Sequence, residues 1–247
     1  MQHPPPPLCR FAVFRLAFFQ LATWLLAGWL LLTLGGCAAP GGLALHNVGA
    51  LDPAQPGSYV NASAAQVRDG LRIHRSGQPL VVDVGMPLAT GDVVESGAGT
   101  VAVIRFPDGH EAVLLPGTRV QLGSLIADFG EFFVRVFKQT QGQFKVKTKY
   151  VTAGVEGTSF WVRVGQDNSL AVGVLDGSIR LSSATNSWQP VPVLADEVAT
   201  VLRDQPPTKT QQTRDQVDSI VRLMRNGLRL APRPPPQVRL PAVPMAR

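Results

Sequence analysis

Hydrophobic and polar positions change their rhythm several times along the chain. From Leu16 to Leu34 almost every residue is apolar and none is charged. Residues 38–64 are rich in Gly, Ala and Pro and show no period, which reads as a flexible tether. From residue 65 short apolar runs alternate with turn residues. Leu80-Val81-Val82 leads to Gly85, and Val101 to Phe106 is apolar on both alternating faces, as in a strand buried on both sides. Pro107-Asp108-Gly109-His110 is a hairpin turn before Glu111 to Leu115. Phe132 to Phe137 is β-branched and aromatic, Phe144 to Thr148 alternates strictly, and Phe160 to Val164, Leu170 to Leu175 and Ser178 to Leu181 follow between further turns. Many short strands with frequent turns predict an all-β fold over residues 65–205: a roll, a sandwich or a solenoid-like stack.

After Pro206-Pro207 the period becomes helical. Val217, Ile220, Val221, Met224 and Leu228 share one face, Thr213 and Gln216 have capping-box spacing, and Asn226-Gly227 suits a C-terminal stop. Residues 206–230 thus read as a linker and amphipathic helix, whose apolar stripe docks on the β-domain or meets a partner or membrane. Residues 231–247, with Pro232, Pro234, Pro235, Pro236, Pro241 and Pro244, form an extended Pro/Arg-rich tail.

Charge adds compartment to this picture. Arg10 and Arg15 precede the apolar run, and Leu34-Gly35-Gly36-Cys37 ends it. A basic start, an apolar stretch and small residues at its end make an export signal over residues 1–36. The run Leu34 to Cys37 resembles the lipobox of bacterial lipoproteins, which implies cleavage before Cys37 and acylation of its thiol. Membrane lipid is then the first expected partner, with the protein facing the periplasm. Ala38 after the Cys resembles an outer-membrane sorting signal. The alternative is an uncleaved helix in the inner membrane, since Leu16 to Leu34 is long enough to span a bilayer. Once Cys9 leaves with the signal and Cys37 is lipidated, no thiol pair remains for a disulfide or a thiolate metal site.

The net charge of +6 is concentrated at the C-terminus, where Arg222, Arg225 and Arg229 lie among other arginines. These three are candidate contacts to an acidic partner; export argues against nucleic acid. Tyr150 and Trp161 are candidate aromatic anchors. Phe160 and Trp161 are adjacent on a strand and face opposite ways, so either one is exposed or both are core.

Enzymatic chemistry finds little support. His46, His74 and His110 are scattered, and Asp108, His110 and Glu111 read as exposed polar residues of a hairpin tip. Gly154 to Thr158 lacks the Lys-Ser/Thr ending of a phosphate loop. Asp92 and Glu95 would serve a glycosidase only if a cleft held both at catalytic separation. No cofactor, metal or catalytic residue is expected.

Three stretches together resemble the FecR domain of exported bacterial proteins. They are Gly91 to Gly97 with Phe106-Pro107-Asp108-Gly109; Gly130 to Val136; and Phe144 to Thr148 with Ala153 to Phe160 and Val174 to Ile179. The resemblance covers roughly Gln66 to Leu202. Well-known relatives are inner-membrane regulators with a cytoplasmic anti-sigma segment and a periplasmic portion that senses a receptor. The residues before Leu16 are too few to fold as a sigma-factor binder. The resemblance therefore implies a stand-alone FecR-domain lipoprotein. Its expected role is a non-enzymatic, membrane-tethered module recognising an envelope protein or polysaccharide. The alternatives are an accessory of envelope signal sensing and, behind it, a polysaccharide-active enzyme.

Overall fold

The computed structural model describes residues 42–55, 57–137 and 144–228. The signal region, Cys37, Arg229 and the Pro/Arg-rich tail lie outside the described residues. Among those described, no helix is long and apolar enough to cross a membrane.

The structure is dominated by β-strands. They are β1 (Ala44–Leu51), β2 (Tyr59–Asn61), β3 (Leu71–Arg75), β4 (Gln78–Pro79), β5 (Val93–Ser96), β6 (Thr100–Arg105), β7 (Glu111–Leu114), β8 (Arg119–Gln121) and β9 (Leu125–Arg135), then β10 (Phe144–Lys147), β11 (Val151–Val164), β12 (Leu170–Ser183), β13 (Val191–Leu194), β14 (Glu197–Val201) and β15 (Thr208–Gln211). Two helices accompany them, α1 (Ala64–Gly70) and α2 (Arg214–Leu228). The main path of pairing runs β15-β14-β12-β11-β10-β9-β7-β6-β1-β2, and β3, β4, β5 and β8 join it through β8 and β9. The all-β expectation holds. It takes the form of one large mixed sheet, in which β10 and β9 are parallel and the other pairs antiparallel.

The longest strands change partners midway. The first half of β11 pairs with β10 and its second half with β9. β9 likewise pairs with β8 and β10 early and with β7 and β11 late. The changeovers fall at glycines with positive φ, Gly130 at 107° and Gly157 at 58°. At Gly130 a Cβ would lie 2.4 Å from the Thr118 Cα, so both space and backbone demand glycine there. Beside Gly157 the β11–β12 register is bulged between Glu156 and Phe160, which bends the strand. Both halves of β11 bury their inward residues in one core: Val151, Ala153 and Val155 on one side of the bend, Phe160, Val162 and Val164 on the other.

Three sequence expectations need correction. Residues 44–51 and 59–61, read as tether, are strands. β1 pairs along β6 from Ala44 to Ala50 and buries Leu45 and Val48 completely. The alternation was short and interrupted by His46 and Asn47, and its apolar partner lay some fifty positions away. Residues 208–211, read as linker, are the edge strand β15, paired with β14. All four of its side chains are exposed, so no apolar signal marked it. Conversely, Leu80-Val81-Val82 is not a strand, and Val81 is 86% exposed.

Both helices start at capping boxes. Ser63 Oγ accepts the Gln66 N–H while Gln66 Oε1 accepts the Ser63 N–H, and α1 buries Val67. At α2 the expected box forms: Thr213 Oγ1 accepts the Gln216 N–H at 3.3 Å and Gln216 Oε1 accepts the Thr213 N–H at 3.0 Å. The expected stop at Asn226-Gly227 falls inside the last turn of the helix.

Candidate partner-binding site

Strand alternation gives the sheet two faces over β6, β7, β9, β11, β12 and β14. The inward face, with Ala102, Ile104, Ala112, Leu114, Phe132, Val134, Phe160, Val162 and Val172, belongs to the main core. The outward face carries a second apolar cluster of Val101, Val103, Val113, Leu115, Phe133 and Trp161, with Tyr59, Ala171, Leu175, Val198 and Ile220 packed against it.

Register shows how this outer face is built. Val103 pairs with Val113, Val113 with Phe133, Phe133 with Trp161, Trp161 with Gly173 and Gly173 with Val198. These residues form one apolar rung across the strands. The rung on one side is charged: Arg105 Nη2 lies 2.8 Å from Glu111 Oε1 and 3.0 Å from His46 Nε2, and Arg135 Nη1 lies 4.0 Å from Glu111. On the other side Val101 and Leu115 continue the apolar surface, and Arg163 pairs with Glu131 at 3.0 Å.

Trp161 organises the middle of the rung, between Phe133 and Gly173. Its partner position is Gly173, where a Cβ would stand 2.2 Å from the indole Nε1, so the missing side chain seats the ring. The indole N–H donates to Gln212 Oε1 at 3.2 Å, and Gln212 Nε2 donates to the Val174 carbonyl at 2.8 Å. Gln212 thus ties the entry of α2 to β12 and to Trp161. From there α2 reaches β6 and β7, and Ile220 packs on the cluster. The helix therefore runs across the strands, along the apolar rung.

The residues singled out from sequence fare differently. Trp161 is buried at 7% exposure and Phe160 at 0%, so both are core, on opposite faces. Trp161 as an exposed anchor is corrected: its ring lies within the outer apolar cluster and is bonded by Gln212 of the lead-in to α2. Tyr150 is half-buried against the main core, with Lys149 Nζ 5.2 Å above its ring. Arg222 and Arg225 are exposed on α2, where Arg222 Nη2 donates to Ser219 Oγ at 3.4 Å. Arg229, Leu34, Gly35, Gly36 and Cys37 lie outside the described residues. Trp161 and the two described arginines share one region, and Tyr150 is not packed on its apolar cluster. Sequence reasoning missed Gln212, Gly173 and Phe133 as parts of the site. Phe133 had a detectable signal, since Phe132-Phe133 on one strand requires an apolar environment on both faces.

The polar candidates are structural. The Asp92 carboxylate is buried, receives two Arg75 hydrogen bonds at 2.8 Å and accepts the Ala89 N–H at 2.8 Å. The Arg75 hydrogen bond holds its carboxyl below the usual range against the opposing effect of burial. Glu95 pairs instead with Arg119 at 2.8 Å, so the two acids do not converge. His110, expected as an exposed tip residue, is only 2% exposed. Its Nδ1 accepts the Phe137 N–H at 3.1 Å, its ring stacks on Phe137 and meets Phe144 edge-on, and Nε2 lies 3.3 Å from Asp108. Aromatic neighbours on both sides outweigh the polar preference of the turn, and burial lowers the His110 pKa. Among the described residues no three His, Cys, Asp or Glu side chains gather as metal ligands.

Residues 92–180, which supply nearly all of this face, match the family model described as FecR protein. This segment is a FecR domain. No curated protein matches the chain. Two crystal structures of a "putative anti-sigma factor" from Parabacteroides distasonis are similar to it, each at 22% identity, with TM-scores of 0.45 and 0.46. They cover 51% and 52% of this chain, which in turn spans 62% and 64% of theirs. The matched residues run from the Arg75-bound Asp92 to Arg180 within β12, and β13 to β15 and α2 follow them in the chain.

Proposed function

We propose that this chain is a recognition module of envelope signal sensing, held at a membrane by an acylated Cys37. The observation that carries the reading is the FecR-domain match over residues 92–180. The domain would contact an envelope protein, and that protein would relay the signal across the membrane. The basic stretch from Arg222 through Arg225 to Arg229 gives the C-terminal region an attraction for acidic surfaces. Deleting the protein and profiling transcripts tests the role: a defined change in one regulon is expected, and an unchanged profile removes it. Intact mass spectrometry of the native product tests the anchor separately. It should show a chain starting at Cys37 and carrying acyl chains.

A second reading is a membrane-tethered scaffold that binds a protein or glycan without signalling. The covered apolar face favours it, because such a face is what a binding module requires whatever follows. An enzyme acting on polysaccharide has less support. Asp92 and Glu95 are each committed to an arginine. Crosslinking from position 225 in native membranes separates the first two readings: capture of a membrane-crossing partner supports signalling, and capture of a soluble envelope protein or glycan supports the scaffold.

A further inference from the structure

We infer that the outer face of the FecR domain is a groove for an amphipathic helix, that α2 is its resident occupant, and that a partner presenting such a helix binds by displacing it. The inference deepens the proposed recognition role by naming the surface and the chemistry it accepts.

The groove has the dimensions of a helix. From Val103 on β6 to Val198 on β14, the apolar rung crosses roughly 24 Å at the usual strand spacing. The 15 residues of α2 extend about 22 Å. Charged pairs bound it, Arg105–Glu111–Arg135 on one side and Glu131–Arg163 on the other. The bound helix shows the ligand class directly: Ile220 sits on the apolar cluster, while Arg214, Asp215, Asp218, Arg222 and Arg225 face water. Grooves that accept amphipathic helices take the apolar face and leave the charged face in water.

Two further observations mark α2 as a cover. The six buried residues of the groove all lie within residues 92–180, with Tyr59, Val198 and Gln212 at its margins, whereas α2 begins at Arg214. The matched segment thus brings the buried face, and a later segment of the chain supplies its occupant. The lead-in is held through Gln212, whose side chain bonds the Val174 and Glu197 carbonyls and the Trp161 indole and whose N–H donates to the Asp196 carbonyl, next to an edge strand whose side chains are all exposed. Lifting α2 would uncover Val101, Val103, Val113, Leu115, Phe133 and Trp161 as one apolar patch. Patches on the order of several hundred Å² mark interaction sites.

The test uses the full-length chain with Trp24, Trp29 and Trp188 replaced by Phe, which leaves Trp161 as reporter. The probe is a labelled synthetic peptide of residues 213–228. Ile220→Asp should red-shift the Trp161 emission and open a saturable peptide site with at least tenfold higher affinity than the unsubstituted chain, in which α2 competes. The same peptide carrying Ile220→Asp should not bind. A milder variant, Gln212→Ala, should show both effects in weaker form, and it serves if Ile220→Asp does not fold. Native-state hydrogen exchange should find α2 amides at least a hundredfold less protected than those of β11. Equal peptide affinity for all chains, a folded variant with unshifted Trp161 emission and no peptide site, or equal protection of α2 and β11 would overturn the inference. A transcript profile unchanged by deletion would remove the signalling role and leave the groove standing.

Discussion

The two faces of the central strands are made by alternate residues of the same segments, yet they are finished in different ways. Inside, Phe132, Phe160, Ile104 and Leu114 belong to one core built from almost every element, from Leu45 in β1 to Val201 in β14. Outside, Phe133, Trp161, Val103 and Val113 are nearly as buried, but the cluster is small and its cover includes one terminal helix. The inner face is locked by the whole topology, so losing it means unfolding. The outer face can be uncovered while the sheet stays paired. Full burial in a static structure therefore does not separate a fixed core from a covered site; what differs is how many elements must move to expose it.

Truncating the two faces should break the symmetry most visibly. Phe160→Ala should cost about 3–5 kcal/mol, because the surrounding strands cannot collapse into the cavity. Phe133→Ala should cost less, about 2–3 kcal/mol, because α2 can settle toward the gap. Urea denaturation measures both, and equal costs would mean that the outer face is as rigid as the inner.

Filling the seat of the indole acts on the outer face alone. Gly173→Val places a Cβ where the Trp161 ring lies and should eject it, at about 1–3 kcal/mol, with a red-shifted Trp161 emission. Unchanged emission would show that the ring has another resting place.

Acid should loosen the molecule in two steps with separate causes. His110 and His46 are both held below the ordinary imidazole value of 6.5, mainly by burial. The unfolded chain then takes up protons that the folded chain refuses, so stability is complete above pH 6.5 and falls as pH drops through the folded values. Asp92 is held below 3.8, chiefly by its hydrogen bonds from Arg75, so its share is lost only at still lower pH. Urea midpoints across this range should show the first step shrinking in His110→Asn and the second persisting. An unchanged first step in that variant would assign it elsewhere.

The smallest effect sharpens the comparison without disturbing the sheet. Thr213→Ala removes the cap of α2 and should weaken the helix by about 1 kcal/mol. Amide exchange should rise in α2 and stay constant in β11. A global loss of protection would show that α2 and the sheet open together.

The helix and most of the strands were legible because their signals are local. Thr213 and Gln216 announced a cap, Asp108-Gly109 a hairpin, and Phe144-Lys145-Val146-Lys147 a half-buried strand. A second capping box at Ser63 and Gln66 was equally visible, but α1 is so short that its single buried valine makes no stripe. His110 misled because a turn residue is ordinarily wet, and only the return of Phe137 and Phe144 encloses it.

By itself the sequence determined the all-β class, the amphipathic helix and the FecR pattern, since alternation, caps and turn chemistry are carried by neighbours in the chain. Only the tertiary structure decided that β1 completes the sheet, that Trp161 is covered, and that Gly173, Gln212 and Ile220 meet around it. Those facts depend on which distant strands pair and in what register, and long-range pairing leaves no periodic trace in the residues that it joins.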